Sequence, residues 1–208
     1  MAIEDRHIFL YESLQMEDKM QDKRISRFPI PNVDELPSDI KKYIYAIQEK
    51  IGFIPNVFLT LCYRPDEFRA FMTYHDAVME RKGGLTKAEK EMVIVATSNQ
   101  NGCQYCVIAH GAILRVRAKD PLIADQVAIN YTKADISSRQ KAMIAFALKI
   151  SHDSKSISDE DFENLSVHGF DEDDIWDIAS ITAFFGLSNR IANFTSMRPN
   201  DEFYLMGR

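Results

Sequence analysis

The sequence predicts an all-α protein, a helical bundle in which one helical-hairpin unit recurs. Three observations carry that expectation. Apolar residues recur at three- and four-residue spacings along successive segments, and no segment reads as a strand of any length. Two capping boxes, Thr86-x-x-Glu89 and Ser137-x-x-Gln140, each open such a segment. The segments they open match in outline. Residues 137–170 repeat residues 86–116 as a capped helix, a break and a shorter helix, with no cysteine in the second copy.

Taken in order, residues 1–27 are charged, with a short apolar patch at 8–11 and no sustained period. They read as an N-terminal arm, either ordered against a neighbouring subunit or loose. Residues 28–208 read as a single domain, because 208 residues with 46% apolar content suffice for one well-buried core. Residues 28–37, FPIPNVDELP, are too rich in proline to be helical throughout. Ser38 reads as the N-cap of a helix with Ile40, Ile44 and Ile47 on one face, ended by Gly52. Helices over 57–63 and 65–79 follow, the latter with Pro65 in its first turn. Gly83 and Gly84 then break the chain before a helix over 87–98 that is apolar almost all round, as suits burial on most sides.

The next helix runs towards Ala118 and is stopped by Asp120-Pro121. A short helix over 122–127 precedes one whose Met143, Ile144, Ala147 and Leu148 point inward. Ser158 or Asp159 starts another, with acids in its first turn as the helix dipole favours. Asp171 caps the last long helix, where Ile175, Ile178, Ala179, Thr182 and Phe185 share a face. Trp176 on that helix reads as core or interface; His152 and His168 read as surface residues.

A formal charge of −6 argues against nucleic acid as a partner. No apolar run approaches the ~18 residues of a membrane span, so no membrane association is expected. The acids in MAIEDRHIFL do not suit a secretory signal. Three cysteines, an odd count, suit a reducing, cytoplasmic location rather than a disulfide framework.

Two of those cysteines carry the chemistry. In NQNGCQYCVIAHGAILR, Cys103, Cys106 and His110 stand at spacings of three and four. At about 100° per residue they fall within roughly 60° of one helical face. Gly102 breaks the preceding pattern, so Cys103 belongs in the first turn of a new helix, where the positive end favours a thiolate. A histidine one turn beyond Cys106 can take its proton or hold the anion. Redox chemistry is the leading reading, with a structural zinc site or a plain structural role as alternatives. Zinc takes four ligands where this cluster supplies three, and a thioredoxin-type site needs a βαβ pattern that is absent. Cys62, among Phe58, Leu61 and Tyr63, reads as a buried hydrophobe. Glu91, read from its own neighbours, is a solvated residue paired with Lys87.

With Glu91 twelve residues before Cys103, the segment resembles the alkylhydroperoxidase D/carboxymuconolactone decarboxylase family. Glu91, Cys103, Cys106 and His110 match its pattern of a helix bearing Glu, a break, then Cys-x-x-Cys-x-x-x-His. The flanks GFIPNVF, LTKAEKE, FFGLSNRIAN and PNDEFYLMGR resemble the branch called peroxidase-related enzymes, and the similarity runs from about Phe28 to the C-terminus. One departure stands out. The founding branch has a histidine where this chain has Tyr105, a hydrogen-bond donor but a poor base at neutral pH.

The resemblance implies an AhpD-like bundle of eight to ten helices that assembles as a homo-oligomer, from dimer to hexamer. It turns Glu91 towards the thiol helix to orient His110. It implies a peroxidase without cofactor or metal: Cys106 attacks a hydroperoxide, Cys103 resolves the sulfenic acid as a disulfide, and a dithiol reductant protein restores both. Tyr105 is then a substrate-binding residue. Asn189 and Arg190 match the family's Asn-Arg pair and read as structural. The rival functions are a redox-sensing or binding oligomer without turnover, and a cofactor-free decarboxylase of the carboxymuconolactone type, which needs no cysteine pair.

Overall fold

Helical hydrogen bonding runs through most of residues 24–208, the part of the chain that the computed structural model describes. Ten α-helices, three 3-10 turns and no strand occur among the described residues. In chain order the helices are α1 (Ser38–Ile51), α2 (Asn56–Leu61), α3 (Pro65–Met79), α4 (Lys87–Gln100), α5 (Gln104–Ala118) and α6 (Ile123–Asn130). They continue as α7 (Ser138–Asp153), α8 (Asp159–Val167), α9 (Glu172–Thr195) and α10 (Glu202–Leu205). None is long and apolar enough to cross a membrane.

The caps explain the boundaries. Thr86 and Ser137 each accept from the N3 backbone N–H while Glu89 and Gln140 reach back to the cap, closing both boxes. Gly52 ends α1 with φ +89°, a conformation that costs glycine nothing. Two details differ from the sequence reading. Pro37 precedes the first turn of α1, which begins at Ser38 itself. Trp176 is 71% exposed, so it is no part of this chain's core. The tetrapeptide 24–27 is tied to the end of α9, with Arg27 N–H on the Thr195 carbonyl at 2.7 Å and Arg198 N–H on that of Ile25 at 3.0 Å. The rest of the expected arm, residues 1–23, lies outside the described residues.

Helix α4 is the axis of the molecule. Met92, Val93, Ile94, Val95 and Ala96 are all buried, and α5, α6, α7 and α9 pack around them. Complete burial of a side chain such as Ile94 stabilises by about 1.5–3 kcal/mol, which is why an all-round apolar helix occupies the centre. A second apolar cluster joins α1, α2 and α3 through Ile40, Ile44, Phe58, Phe68 and Met72. Cys62 is buried within it, and burial alone pushes its thiol up to about 11.

Lys90, on α4, is buried among these apolar residues. Its ammonium donates to the carbonyls of Val78, Met79 and Arg81 at 3.1, 3.1 and 2.8 Å. These groups terminate α3, so the lysine satisfies orphan acceptors at a helix end.

Candidate active site

The break between α4 and α5 builds the site. Gly102 takes φ +61°, and the N–H of Cys103 turns back to the Ser98 carbonyl at 2.9 Å. This places Cys103 at the N-cap of α5, one position earlier than the first turn expected from sequence. Its sulfur accepts the N–H of Cys106 at 3.4 Å, as a capping side chain does. Both cysteines are free thiols and both are buried.

Glu91 is not the solvated residue that its own neighbours suggest. It is 1% exposed on α4 and faces α5, where Oε2 lies 2.7 Å from Nδ1 of His110. Its other oxygen, Oε1, holds Nη1 of Arg117 at 2.9 Å. Lys87 turns instead towards Glu80. The His110 ring stands edge-on to Phe185, 4.7 Å between centroids, which fixes its plane.

Helix α9 closes the site from behind with residues the sequence reading left out or read as structural. The Ser188 hydroxyl lies 3.8 Å from the sulfur of Cys106, within hydrogen-bonding reach. Asn189 is fully buried; its amide donates to Ser98 Oγ at 2.9 Å and accepts from Asn101 at 2.9 Å, fastening α9 to the break. Arg190, its neighbour, is exposed and donates to the Gly186 carbonyl within its own helix. The clue to Asn189 was an amide on an otherwise apolar helical face in FFGLSNRIAN.

The two thiols share a proton unequally. A hydrogen bond from the Cys106 thiol brings Cys103 down to about 7 against the opposing effect of burial. The Cys106 N–H, the Asn189 amide and the charge of His110 act in the same direction. Cys106 is pushed upward by that same bond, by burial and by the charge beside it, with partial relief from Asn189 and Ser188. The first proton to leave the pair is therefore that of Cys103, while Cys106 holds its own.

Cys106 faces the other way. With Tyr105, Ala109 and His110 it lines a largely apolar cavity of about 480 Å³, enclosed further by α1, α2, α3, α9 and α10. Cys103 does not line it. Tyr105 is 4% exposed, and its hydroxyl accepts the Val57 N–H at 3.2 Å, pinning α2 across α5. Burial raises its phenol above the ordinary range. The structure thus brings Glu91, Cys103, Tyr105, Cys106 and His110 together, and adds Arg117, Ser188 and Asn189.

Residues 65–128, which contain all four motif residues, match the carboxymuconolactone decarboxylase family. An uncharacterised peroxidase-related protein from Ralstonia eutropha JMP134, described as an alkylhydroperoxidase AhpD core, is 63% identical. It superposes with a TM-score of 0.88 over 89% of this chain and 97% of that one. A peroxidase-related protein from Silicibacter sp. TM1040 is 38% identical, with a TM-score of 0.85 over the same shares of the two chains. The debrominase Bmp8 is similar in fold alone: TM-score 0.71 and 21% identity over 88% of this chain and 95% of that one. No curated protein matches the chain.

Proposed function

The chain belongs to the carboxymuconolactone decarboxylase family, in its AhpD-like, peroxidase-related branch, and from that premise we propose that it is a thiol-dependent peroxidase working through Cys106 and Cys103. One observation carries the reading. Cys106 and His110 line a common cavity, while Cys103 stands behind Cys106 with an anion that can draw off its proton.

The steps follow from that placement. The Cys106 proton passes to Cys103 along the bond between them, and the resulting Cys106 thiolate attacks the terminal oxygen of a hydroperoxide. A sulfur–oxygen bond forms, the O–O bond breaks, and the alkoxide leaves and is protonated. The Cys103 thiol then attacks the sulfenic sulfur. Its proton leaves with the hydroxyl as water, and a disulfide remains. A dithiol protein reverses that bond by exchange. Glu91, itself held by Arg117, orients the His110 ring at the cavity wall that it shares with Cys106.

For the assembly, we place subunit contacts of a homo-oligomer on α9. Trp176, Leu187 and Phe194 are 71%, 51% and 56% exposed, and their spacings put them on one helical face.

The test is steady-state consumption of an organic hydroperoxide with a dithiol donor, alongside peptide mapping of the oxidised protein. Sustained turnover with a dominant Cys103–Cys106 disulfide is expected. A single stoichiometric oxidation without turnover identifies a sensor instead, and a dominant bond to Cys62 removes the proposed pair.

A further inference from the structure

The cavity has a second polar wall that the steps above leave unused. His75 and Asp76, near the end of α3, line it together with Glu80, on a different helix from the α5 residues Cys106 and His110. Nδ1 of His75 lies 2.9 Å from Oδ1 of Asp76. The His75 side chain is only 27% exposed, and its ring packs against Phe184 with 5.9 Å between centroids.

The attack on a hydroperoxide needs a group that moves a proton between its two oxygens. Three other polar groups on the wall are poorly suited. Nδ1 of His110 is engaged by Glu91, and the ring serves the thiolate. The Tyr105 hydroxyl is held by the Val57 N–H. Burial and the nearby charge of Asp76 push Tyr43 up to about 12, too weak an acid to exchange protons readily. His75 differs from these. A carboxylate only accepts, so Nδ1–H donates to Asp76 and Nε2 is left as an acceptor. Burial draws the ring below the ordinary histidine value despite Asp76, with the charge of His110 adding to the effect. The ring is therefore neutral at neutral pH, with Nε2 able to take up a proton.

We propose that His75 is a further catalytic residue of this cavity: Nε2 accepts the O–H of a bound organic hydroperoxide and carries that proton from the attacked oxygen to the departing one. The step rests on the peroxidase reading and balances within it. The Cys106 thiolate forms a bond to the terminal oxygen, and the O–O electron pair leaves with the alkoxy oxygen. The proton of the attacked oxygen reaches that alkoxide through Nε2. The products are an alcohol and a Cys106 sulfenate, which takes one proton from solvent before Cys103 condenses with it. Asp76 is a positioning residue that fixes the tautomer.

The experiment compares two reactions of the reduced protein: oxidation of Cys106 by cumene hydroperoxide, followed by rapid mixing, and alkylation by iodoacetamide. The second reads the thiol alone. His75→Gln retains polarity and approximate shape but cannot relay a proton, so oxidation should slow about 100-fold while alkylation stays within about twofold of wild type. Asp76→Asn should slow oxidation by a smaller factor with alkylation again unchanged, and it decides the matter on the same criteria if His75→Gln fails to fold. Equal oxidation rates in variant and wild type overturn the proposal, as does a parallel loss of both reactions, which marks His75 as structural. A wild-type protein that alkylates but is inert to hydroperoxide overturns the peroxidase reading and the proposal with it.

Discussion

Nδ1 of His110 and Oε2 of Glu91 lie 2.7 Å apart, and this contact joins α4 to α5 one helical turn beyond Cys106. Because the carboxylate is buried, its charge acts on the imidazole with little screening. Glu91→Gln should slow alkylation of Cys106 at neutral pH and raise that thiol's apparent pKa. His110→Ala should do the same or more, and the double variant should be no worse than His110→Ala alone. Alkylation of Glu91→Gln at the wild-type rate across pH rules this coupling out. A stability loss of about 1–3 kcal/mol should accompany Glu91→Gln, because Arg117 then faces a neutral amide.

The pH profile of the thiols gives a second prediction. Thiolate absorbance of the reduced protein should rise as pH increases through about 7, where Cys103 ionises, rather than near the ordinary value of 9.0. Cys106→Ala removes the largest cause of that lowering, so the midpoint should move upward, and Cys62 contributes only near 11. A midpoint unmoved by Cys106→Ala means that the backbone N–H and Asn189 set the Cys103 value without the neighbouring thiol.

Asn189→Ala probes the rear wall. It leaves Ser98 without its partner in a fully buried place and the half-buried Asn101 amide without its acceptor. The expected loss is about 1–3 kcal/mol in denaturant unfolding, at the level of an unsatisfied buried group. The thiolate midpoint should rise as well, since the amide favours the anion at both sulfurs. A stability loss with an unchanged midpoint limits Asn189 to fastening α9 to the break.

Much of this was legible in the chain because the relevant information is local. Thr86 with Glu89, Ser137 with Gln140, Asp171 and Gly52 each mark a helix end by a side chain or backbone that acts within one turn. Cys106 and His110 line one cavity because four residues is a helical spacing, whereas Cys103, at the N-cap, does not join them there. What stayed hidden depends on packing between helices. Arg117 sits two turns beyond His110, and nothing local says that it shares Glu91. Asn189 and His75 reach the site from helices distant in sequence. Trp176 was ambiguous because a large apolar residue fits a core or a contact surface equally well by pattern, and only the packing of α9 leaves it outside.

Lys90→Met tests the central helix. An apolar chain of similar length fits the same space but gives no donor to the carbonyls of Val78, Met79 and Arg81. About 2–4 kcal/mol of stability should be lost, detectable as a lower denaturant midpoint with an unchanged slope. A variant as stable as wild type means that burial of the ammonium cancels its three hydrogen bonds.

The N-cap position of Cys103 carries a consequence for redox poise. In the dithiol protein an anionic sulfur accepts the N–H of Cys106 and so caps α5 with charge. Joined in a disulfide, the same sulfur is neutral and a far weaker acceptor, so the first turn of the helix loosens as the pair oxidises. The reduced state is thereby favoured, and favouring the reduced state raises the reduction potential. On the proposed peroxidase reading, such a pair is expected to be reset by a dithiol donor and driven forward by a peroxide.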